Sequence, residues 1–101
     1  MKCYCASFNV GNIEVWGSEL YLDKESIFWE IENLKDEIAE RIYDFATCFD
    51  KKKIYKIIEF AISGLKAHGI YQDEKYNFDF FILEQVVWDN YKQKIEENGT
   101  N

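Results

Sequence analysis

Apolar residues recur at spacings of three and four between residues 27 and 49, and this period matches the 3.6-residue turn of an α-helix. The pattern predicts one long amphipathic helix over about residues 24–49, with Asp23 as its N-cap and Glu25 in its first turn. Such a helix must bury its apolar stripe against another layer of structure. The stripe consists of Ile27, Ile31, Leu34, Ile38, Ile42, Phe45 and Phe49.

Two further helices are predicted in the second half of the chain. One covers residues 51–68, because Asp50 can cap its N-terminus and Gly69 suits the left-handed position that follows a helix. The other covers about residues 77–97. The apolar runs FFIL and VVW are equally compatible with a strand, so residues 78–88 remain open between helix and strand. The apolar stripe of this last helix would consist of Phe80, Leu83, Val87, Tyr91 and Ile95.

The first residues of the chain, 2–22, predict a three-stranded antiparallel β-meander. Gly11 and Gly17 each lie between two β-type runs, and a glycine in the first central position suits a two-residue type II′ turn. The first turn would place Phe8 opposite Val15. Side chains alternate along a strand, so the meander has one apolar and one half-polar face. The apolar face holds Tyr4, Ala6, Phe8, Val10, Ile13, Val15, Leu20 and Leu22. The reverse face holds Cys3, Cys5, Ser7, Asn9, Glu14, Trp16, Glu19 and Tyr21.

Together these elements predict an α+β fold, in which an N-terminal three-stranded antiparallel β-meander is followed by three α-helices packed on one sheet face. The length of 101 residues is near the common domain size and predicts a single domain over residues 1–101. With 48% apolar and 18% aromatic residues, the chain can build a core despite its net charge of −7.

The sequence shows neither a signal peptide nor a membrane span. No run of about 18 apolar residues is present, and the first ten residues contain a single lysine and no long apolar stretch. We therefore expect a cytoplasmic protein that does not contact a membrane. Its three cysteines, an odd number, are then expected to be reduced thiols.

The chain offers few groups for catalysis or metal binding. His68 is the single histidine, and its expected place in the last turn of a helix predicts a capping role at the negative end of the helix dipole. A nominal zinc set of Cys3, Cys5, Cys48 and His68 fails, because Cys48 and His68 would be separated by a helix of roughly 27 Å. No phosphate loop or nucleophile motif is present. The prediction is a protein without enzymatic activity, metal or cofactor.

Negative charge is concentrated in one part of the sequence. Residues 14–50 contain eleven acidic and three basic residues, whereas the rest of the chain contains eight acidic and nine basic ones. Affinity for phosphates comes largely from clustered lysine and arginine, and the single basic run is Lys51–Lys53. Direct binding of nucleic acid is therefore not expected, and the acidity instead predicts a basic protein partner.

The long acidic helix presents a candidate partner-binding face opposite its apolar stripe. Glu32, Asp36 and Glu40 are spaced four residues apart, so their charges repel each other and helix stability does not require them. Acidic side chains speed the encounter with a basic partner, and exposed aromatic side chains supply the anchors that dominate interface energy. The alternative is an ordinary solvated helix face. The predicted partner-binding residues are Trp29, Glu32, Asp36, Glu40 and Tyr43, flanked by Asn33, Glu37 and Asp44.

These features predict a small acidic inhibitor, of the kind represented by immunity proteins and antitoxins, that occludes the active site of a basic nuclease-type toxin. A phage-encoded inhibitor of a host nucleic-acid-binding defence protein is an alternative of the same kind. An alternative of a different kind is a non-catalytic structural or regulatory subunit that forms a homo-oligomer. In that case the reverse sheet face, with Trp16 and Tyr21, would be the binding surface.

Overall fold

A four-stranded antiparallel sheet and three helices form the fold in the computed structural model, which describes residues 1–46 and 50–86. The α+β class is therefore confirmed, but the strand number and order differ from the prediction. The strands lie in the order β2-β1-β4-β3. The elements are β1 (Lys2–Val10), β2 (Ile13–Gly17), α1 (Lys24–Asn33), α2 (Lys35–Phe45), α3 (Lys51–His68), β3 (Ile70–Asp73) and β4 (Phe78–Val86).

The first hairpin forms where the glycine pattern predicts it. Gly11 has a φ angle of 64°, as the first central position of the turn requires. A β-bulge then shifts the register, so that Phe8 pairs with Trp16 and the predicted pairing with Val15 is wrong. As a result Val15 and Trp16 are both buried, and Trp16 belongs to the core instead of the reverse sheet face.

The predicted third strand of the meander is wrong. Gly17 does not have a positive φ angle, and the chain does not turn back along β2. It continues beside β1, where the N–H of Ser18 donates to the carbonyl of Ala6 over 3.0 Å. An isolated bridge between Tyr4 and Tyr21 extends this contact. Residues 18–22 thus follow β1 and prolong the path of β2 along the same edge.

The predicted helix over residues 24–49 is divided into α1 and α2. Asp23 caps α1 as predicted, and its carboxylate accepts from the N–H of Ser26 over 2.8 Å. Leu34 interrupts the helix with φ and ψ angles of −105° and 17°. Just before it, the amide of Asn33 donates to the carbonyl of Trp29 over 2.8 Å and competes with the helical backbone bond at that carbonyl. Residues 47–49 lie outside the described part of the chain.

Helix α3 has the bounds that the sequence predicts. The carboxylate of Asp50 accepts from the N–H of Lys53 over 2.8 Å at the N-terminus. At the other end Gly69 has a φ angle of 75°, and its N–H donates to the carbonyl of Leu65 over 2.9 Å. The predicted inward residues of this helix are buried, namely Ile54, Ile57, Ile58, Ala61 and Leu65.

The predicted third helix, over residues 77–97, is wrong for residues 78–86, which form β4. This strand pairs with β1 along its whole length, from Val10 opposite Phe78 to Lys2 opposite Val86. Its alternating Phe78 and Phe80 are buried, as a strand with one core face requires. The short strand β3, which the sequence analysis did not identify, pairs with the first part of β4. Residues 87–97 lie outside the described part.

The core lies between the sheet and the helices. Three aromatic rings of β1 and β4 stack across the sheet, with centroids 4.4 Å apart for Phe8 and Phe80 and 5.7 Å apart for Phe78 and Phe80. The helices bury isoleucines against these rings, so all three helices pack on one sheet face. The fully buried isoleucines are Ile27, Ile31, Ile38, Ile42, Ile54 and Ile58.

Candidate partner-binding site

The break at Leu34 distributes the predicted partner-binding residues over two helices. All of them are exposed except Tyr43, which is half-buried and packs against the core. Trp29, Glu32 and Asn33 belong to α1, and Asp36, Glu37, Glu40, Tyr43 and Asp44 belong to α2.

Glu32, Asp36 and Glu40 form the acidic ridge of the predicted partner-binding face, and two of these carboxylates connect α2 to α3. The hydroxyl of Tyr55 donates to Asp36 over 2.5 Å, and this hydrogen bond raises the pKa of Tyr55. The ammonium of Lys51 forms an ion pair with Glu40, which raises the pKa of Lys51. Asp36 and Glu40 therefore have a structural role at the seam between two helices.

Two further carboxylates of the predicted site have cationic neighbours. Lys35 lies 3.5 Å from Glu32 and 3.8 Å from Glu59 of α3. Arg41 lies 3.4 Å from Glu37, one helical turn earlier. Exposed pairs of this kind contribute little to stability, but they neutralise part of the charge. The ridge is consequently less negative than its sequence indicates.

The basic run Lys51–Lys53 also has partners within the fold. Lys51 lies over the ring of Tyr43, with 5.5 Å between the ammonium and the ring centroid. Lys53 donates to the hydroxyl of Tyr76 over 2.9 Å, and this contact is the main cause of the lowered pKa of Tyr76. The run thus makes contacts with α2 and with the turn between β3 and β4.

A depression of about 550 Å³ lies at the N-terminal end of α1 and is lined by Tyr21, Asp23, Glu25, Ser26 and Trp29. Trp29 is 69% exposed. Both carboxylate oxygens of Asp23 accept from Ser26, at 2.8 Å from its N–H and 3.1 Å from its hydroxyl. Within residues 1–46 and 50–86, Glu25 has neither an ion pair nor a hydrogen bond through its side chain. The depression therefore combines an exposed indole with a carboxylate that the fold does not neutralise.

A second carboxylate lies beside this depression. Glu30 interacts with the hydroxyl of Tyr21 and the N–H of Glu19, but burial outweighs these contacts and raises its pKa. Its Oε2 atom is buried without a hydrogen-bond partner among the described residues. Burial, together with Glu30 and Glu19, raises the pKa of Tyr21 to about 12. Glu19 and Glu30 thus lie close to the hydroxyl of Tyr21.

The helical period of the sequence predicts Trp29 as a binding residue but gives no signal for Glu25, Glu30 and Tyr21 around it. Glu25 was interpreted only as a first-turn residue that favours the helix dipole. Tyr21 was assigned to a third strand, and its contact with Glu30 depends on the path of residues 18–22 beside β1. The spacing of nine residues between these two side chains carries no signal of its own in the sequence.

The reverse sheet face differs from the alternative binding surface that the sequence predicted. Trp16 is 4% exposed and lies in the core, so it cannot anchor a partner there. Tyr21 belongs to the depression beside α1. Exposed apolar side chains of the sheet instead include Ile70 of β3 and Leu83 of β4.

The described residues offer little for metal or thiol chemistry. In that part of the chain, no three histidine, cysteine or acidic side chains are placed to hold a metal ion. Cys3 is buried, and burial followed by the charge of Glu14 raises the pKa of Cys5, which disfavours a reactive thiolate. None of α1, α2 and α3 has the length and apolar character needed to cross a bilayer.

Replacing Glu30 by glutamine should change how stability depends on pH. The pKa of Glu30 is higher in the folded than in the unfolded chain, so folding favours its protonated form. The favourable contribution of Glu30 to the free energy of unfolding is present below its pKa in the unfolded chain. This contribution is lost as pH rises through its pKa in the folded chain. The unfolding free energy of the parent protein minus that of Glu30→Gln should therefore fall as pH rises from about 4 to 7. Urea denaturation at a series of pH values measures this difference, and a difference that is constant with pH would contradict the prediction.

The fold and the site define an α+β protein with an open antiparallel sheet, helices on one sheet face and an exposed indole in an acidic depression. No family model matches the sequence. Searches of curated proteins and of solved structures also found no match.

Proposed function

We propose that the protein is a small acidic inhibitor that acts in the cytoplasm, an immunity protein or antitoxin that binds a basic nuclease-type toxin and occludes its active site. The observation that carries this proposal is the 69% exposure of Trp29 beside Glu25, a carboxylate with no ion pair or side-chain hydrogen bond among the described residues. Water around an exposed indole is released when a partner covers it, and tryptophan is therefore frequent among residues that dominate binding energy.

The charge distribution supports the same proposal, because concentrated negative charge would speed association with a basic protein. Eleven of the nineteen acidic residues lie between positions 14 and 50, and this segment includes both α1 and α2. A concentrated negative surface attracts a basic protein over distances of about a Debye length and orients it before contact. Nucleases carry a basic surface for their phosphate substrate. An acidic protein that covers this surface competes directly with the nucleic acid.

Two other functions remain as alternatives. An inhibitor of a host nucleic-acid-binding defence protein, encoded by a phage, would use the same depression and differ only in its target. A structural or regulatory homo-oligomer is favoured by a different observation, the 66% exposure of Phe60 on α3. Sedimentation of the isolated protein at several concentrations separates this second alternative from the inhibitors, because only the homo-oligomer requires self-association.

Neutralisation of a toxin tests the proposed function. The protein encoded by the neighbouring gene should be produced alone and together with this chain, since an inhibitor and its toxin are commonly encoded side by side. Growth should stop in the first case and continue in the second, and the purified pair should form a complex in which nuclease activity is lost. Unchanged toxicity and unchanged nuclease activity in the presence of excess folded inhibitor would contradict the proposal.

A further inference from the structure

We propose that the depression at the N-terminus of α1 binds one arginine side chain of a basic protein, with its guanidinium stacked on Trp29 and paired with Glu25. This inference rests on the proposed function and specifies how the partner is recognised. The ligand of the site would be a planar cation carried by a protein.

The aromatic rings of the fold differ in whether a cation of the fold lies over them. Several of them already have an ammonium group close to their face, at 5.3 Å for Lys24 over Tyr4 and 5.4 Å for Lys66 over Phe28. Within the described residues no lysine or arginine lies over Trp29, although indole is the best cation acceptor among the aromatic side chains. The most exposed aromatic side chain of the described residues is thus also one whose ring is open to an external cation.

The carboxylates of α1 and α2 differ in whether a basic side chain of the fold lies beside them. Glu32, Glu37 and Glu40 each have a basic neighbour in the fold. Glu25 has none among the described residues, and the nearby Lys24 is directed to the ring of Tyr4. A cation from a partner would therefore find, beside Trp29, a carboxylate that has no basic neighbour among the described residues.

The helix N-terminus does not oppose this assignment. The positive end of the helix dipole disfavours a cation unless nearby carboxylates compensate it. Asp23 bonds the N–H and the hydroxyl of Ser26 and therefore compensates the first turn of α1. Glu25, which has no cationic partner among the described residues, then leaves a negative charge beside Trp29.

Arginine fits the depression better than lysine for geometric reasons. A guanidinium is planar, stacks on an indole face and can donate two parallel hydrogen bonds to one carboxylate. It is also less strongly hydrated than an ammonium, so stacking requires less loss of bound water. The adjacent indole and carboxylate of Trp29 and Glu25 offer one surface for each of these two contacts.

A short arginine homopeptide provides a probe that does not require the natural partner. It is titrated into the protein while the indole N–H signal of Trp29 is followed by NMR, with Trp29→Phe used to assign that signal. We expect saturable binding, with the arginine peptide bound at least about threefold more tightly than a lysine peptide of equal length. Binding to Trp29→Ala should be at least about threefold weaker. Equal affinities for the two peptides, or an unmoved Trp29 signal, would overturn the inference.

A matched pair of charge variants distinguishes this site from general acidity. Glu25→Gln and Glu74→Gln remove the same charge, and Glu74 is exposed at the turn between β3 and β4. We expect Glu25→Gln to weaken arginine-peptide binding by up to about fivefold and Glu74→Gln to leave it nearly unchanged. Equal effects of the two variants would overturn the inference even if toxin neutralisation succeeds. If the probe behaves as expected but no toxin is neutralised, the proposed function fails and the arginine site stands.

Discussion

Replacing Phe80 by alanine is expected to lower the free energy of unfolding by about 3–5 kcal/mol. Phe80 is fully buried in the middle of β4. Its ring centroid lies 4.4 Å from that of Phe8, 5.7 Å from that of Phe78 and 5.9 Å from that of Tyr71. The alanine variant loses the burial of a whole ring and leaves a cavity that three rigid rings cannot fill. Chemical denaturation followed by circular dichroism measures the loss.

The same substitution at an exposed position provides the control. Phe60 is 66% exposed on α3, so Phe60→Ala should change the free energy of unfolding by no more than about 0.5 kcal/mol. A pair of equal denaturation midpoints for the two variants would show that Phe80 is not buried, and it would contradict the assignment of residues 78–86 to a strand.

If the protein binds the basic partner proposed above, replacing Trp29 by alanine is expected to weaken that complex by about 2 kcal/mol or more, which corresponds to roughly thirtyfold in Kd. The indole is exposed in the free protein and would be covered in the complex. Most of the effect should be faster dissociation, because an anchor acts after encounter whereas charge acts mainly on the rate of association. The rates are measured by surface plasmon resonance. The fold should be retained, since Trp29 does not belong to the core cluster.

Phe60→Ala is again the matched control, because Phe60 and Trp29 are aromatic residues of similar exposure on different helices. Binding by the Phe60 variant should equal that of the parent protein. If Phe60→Ala accelerates dissociation and Trp29→Ala does not, the partner binds the outer face of α3 and the site proposed at α1 is wrong.

Local chemistry in the sequence determined the ends of two helices and one turn. Asp23 and Asp50 cap α1 and α3, and Gly69 ends α3 in a left-handed conformation. Gly11 fixes the first hairpin in the same way. Each of these features depends on hydrogen bonds or φ angles within a few residues, so a short window of sequence contains all the information required.

The candidate site could be predicted only in part, because much of it depends on which helices lie side by side. The helical period identified Trp29 as a residue opposite the apolar stripe, and this required only α1 itself. The partners of Asp36 and Glu40 lie on α3, at Tyr55 and Lys51, and helical periodicity gives no information about which helix lies beside which. Helical periodicity therefore predicts free carboxylates at Glu32, Asp36 and Glu40, whereas Glu32 and Glu40 have basic neighbours within the fold.

The sequence by itself determined the α+β class, the first hairpin turn and the full extent of α3, because propensity, capping and apolar period act locally. Only the tertiary structure decided that residues 78–86 form a strand, since their apolar run suits a helix and a strand alike. Residues 78–86 form a strand because they pair with β1 over nine residues. This pairing buries Phe80 against Phe8 and Phe78 against Phe80. Tertiary structure also placed Trp16 in the core through a β-bulge in the pairing of β1 and β2. These outcomes depend on contacts between segments far apart in the chain, whose energies no local pattern records.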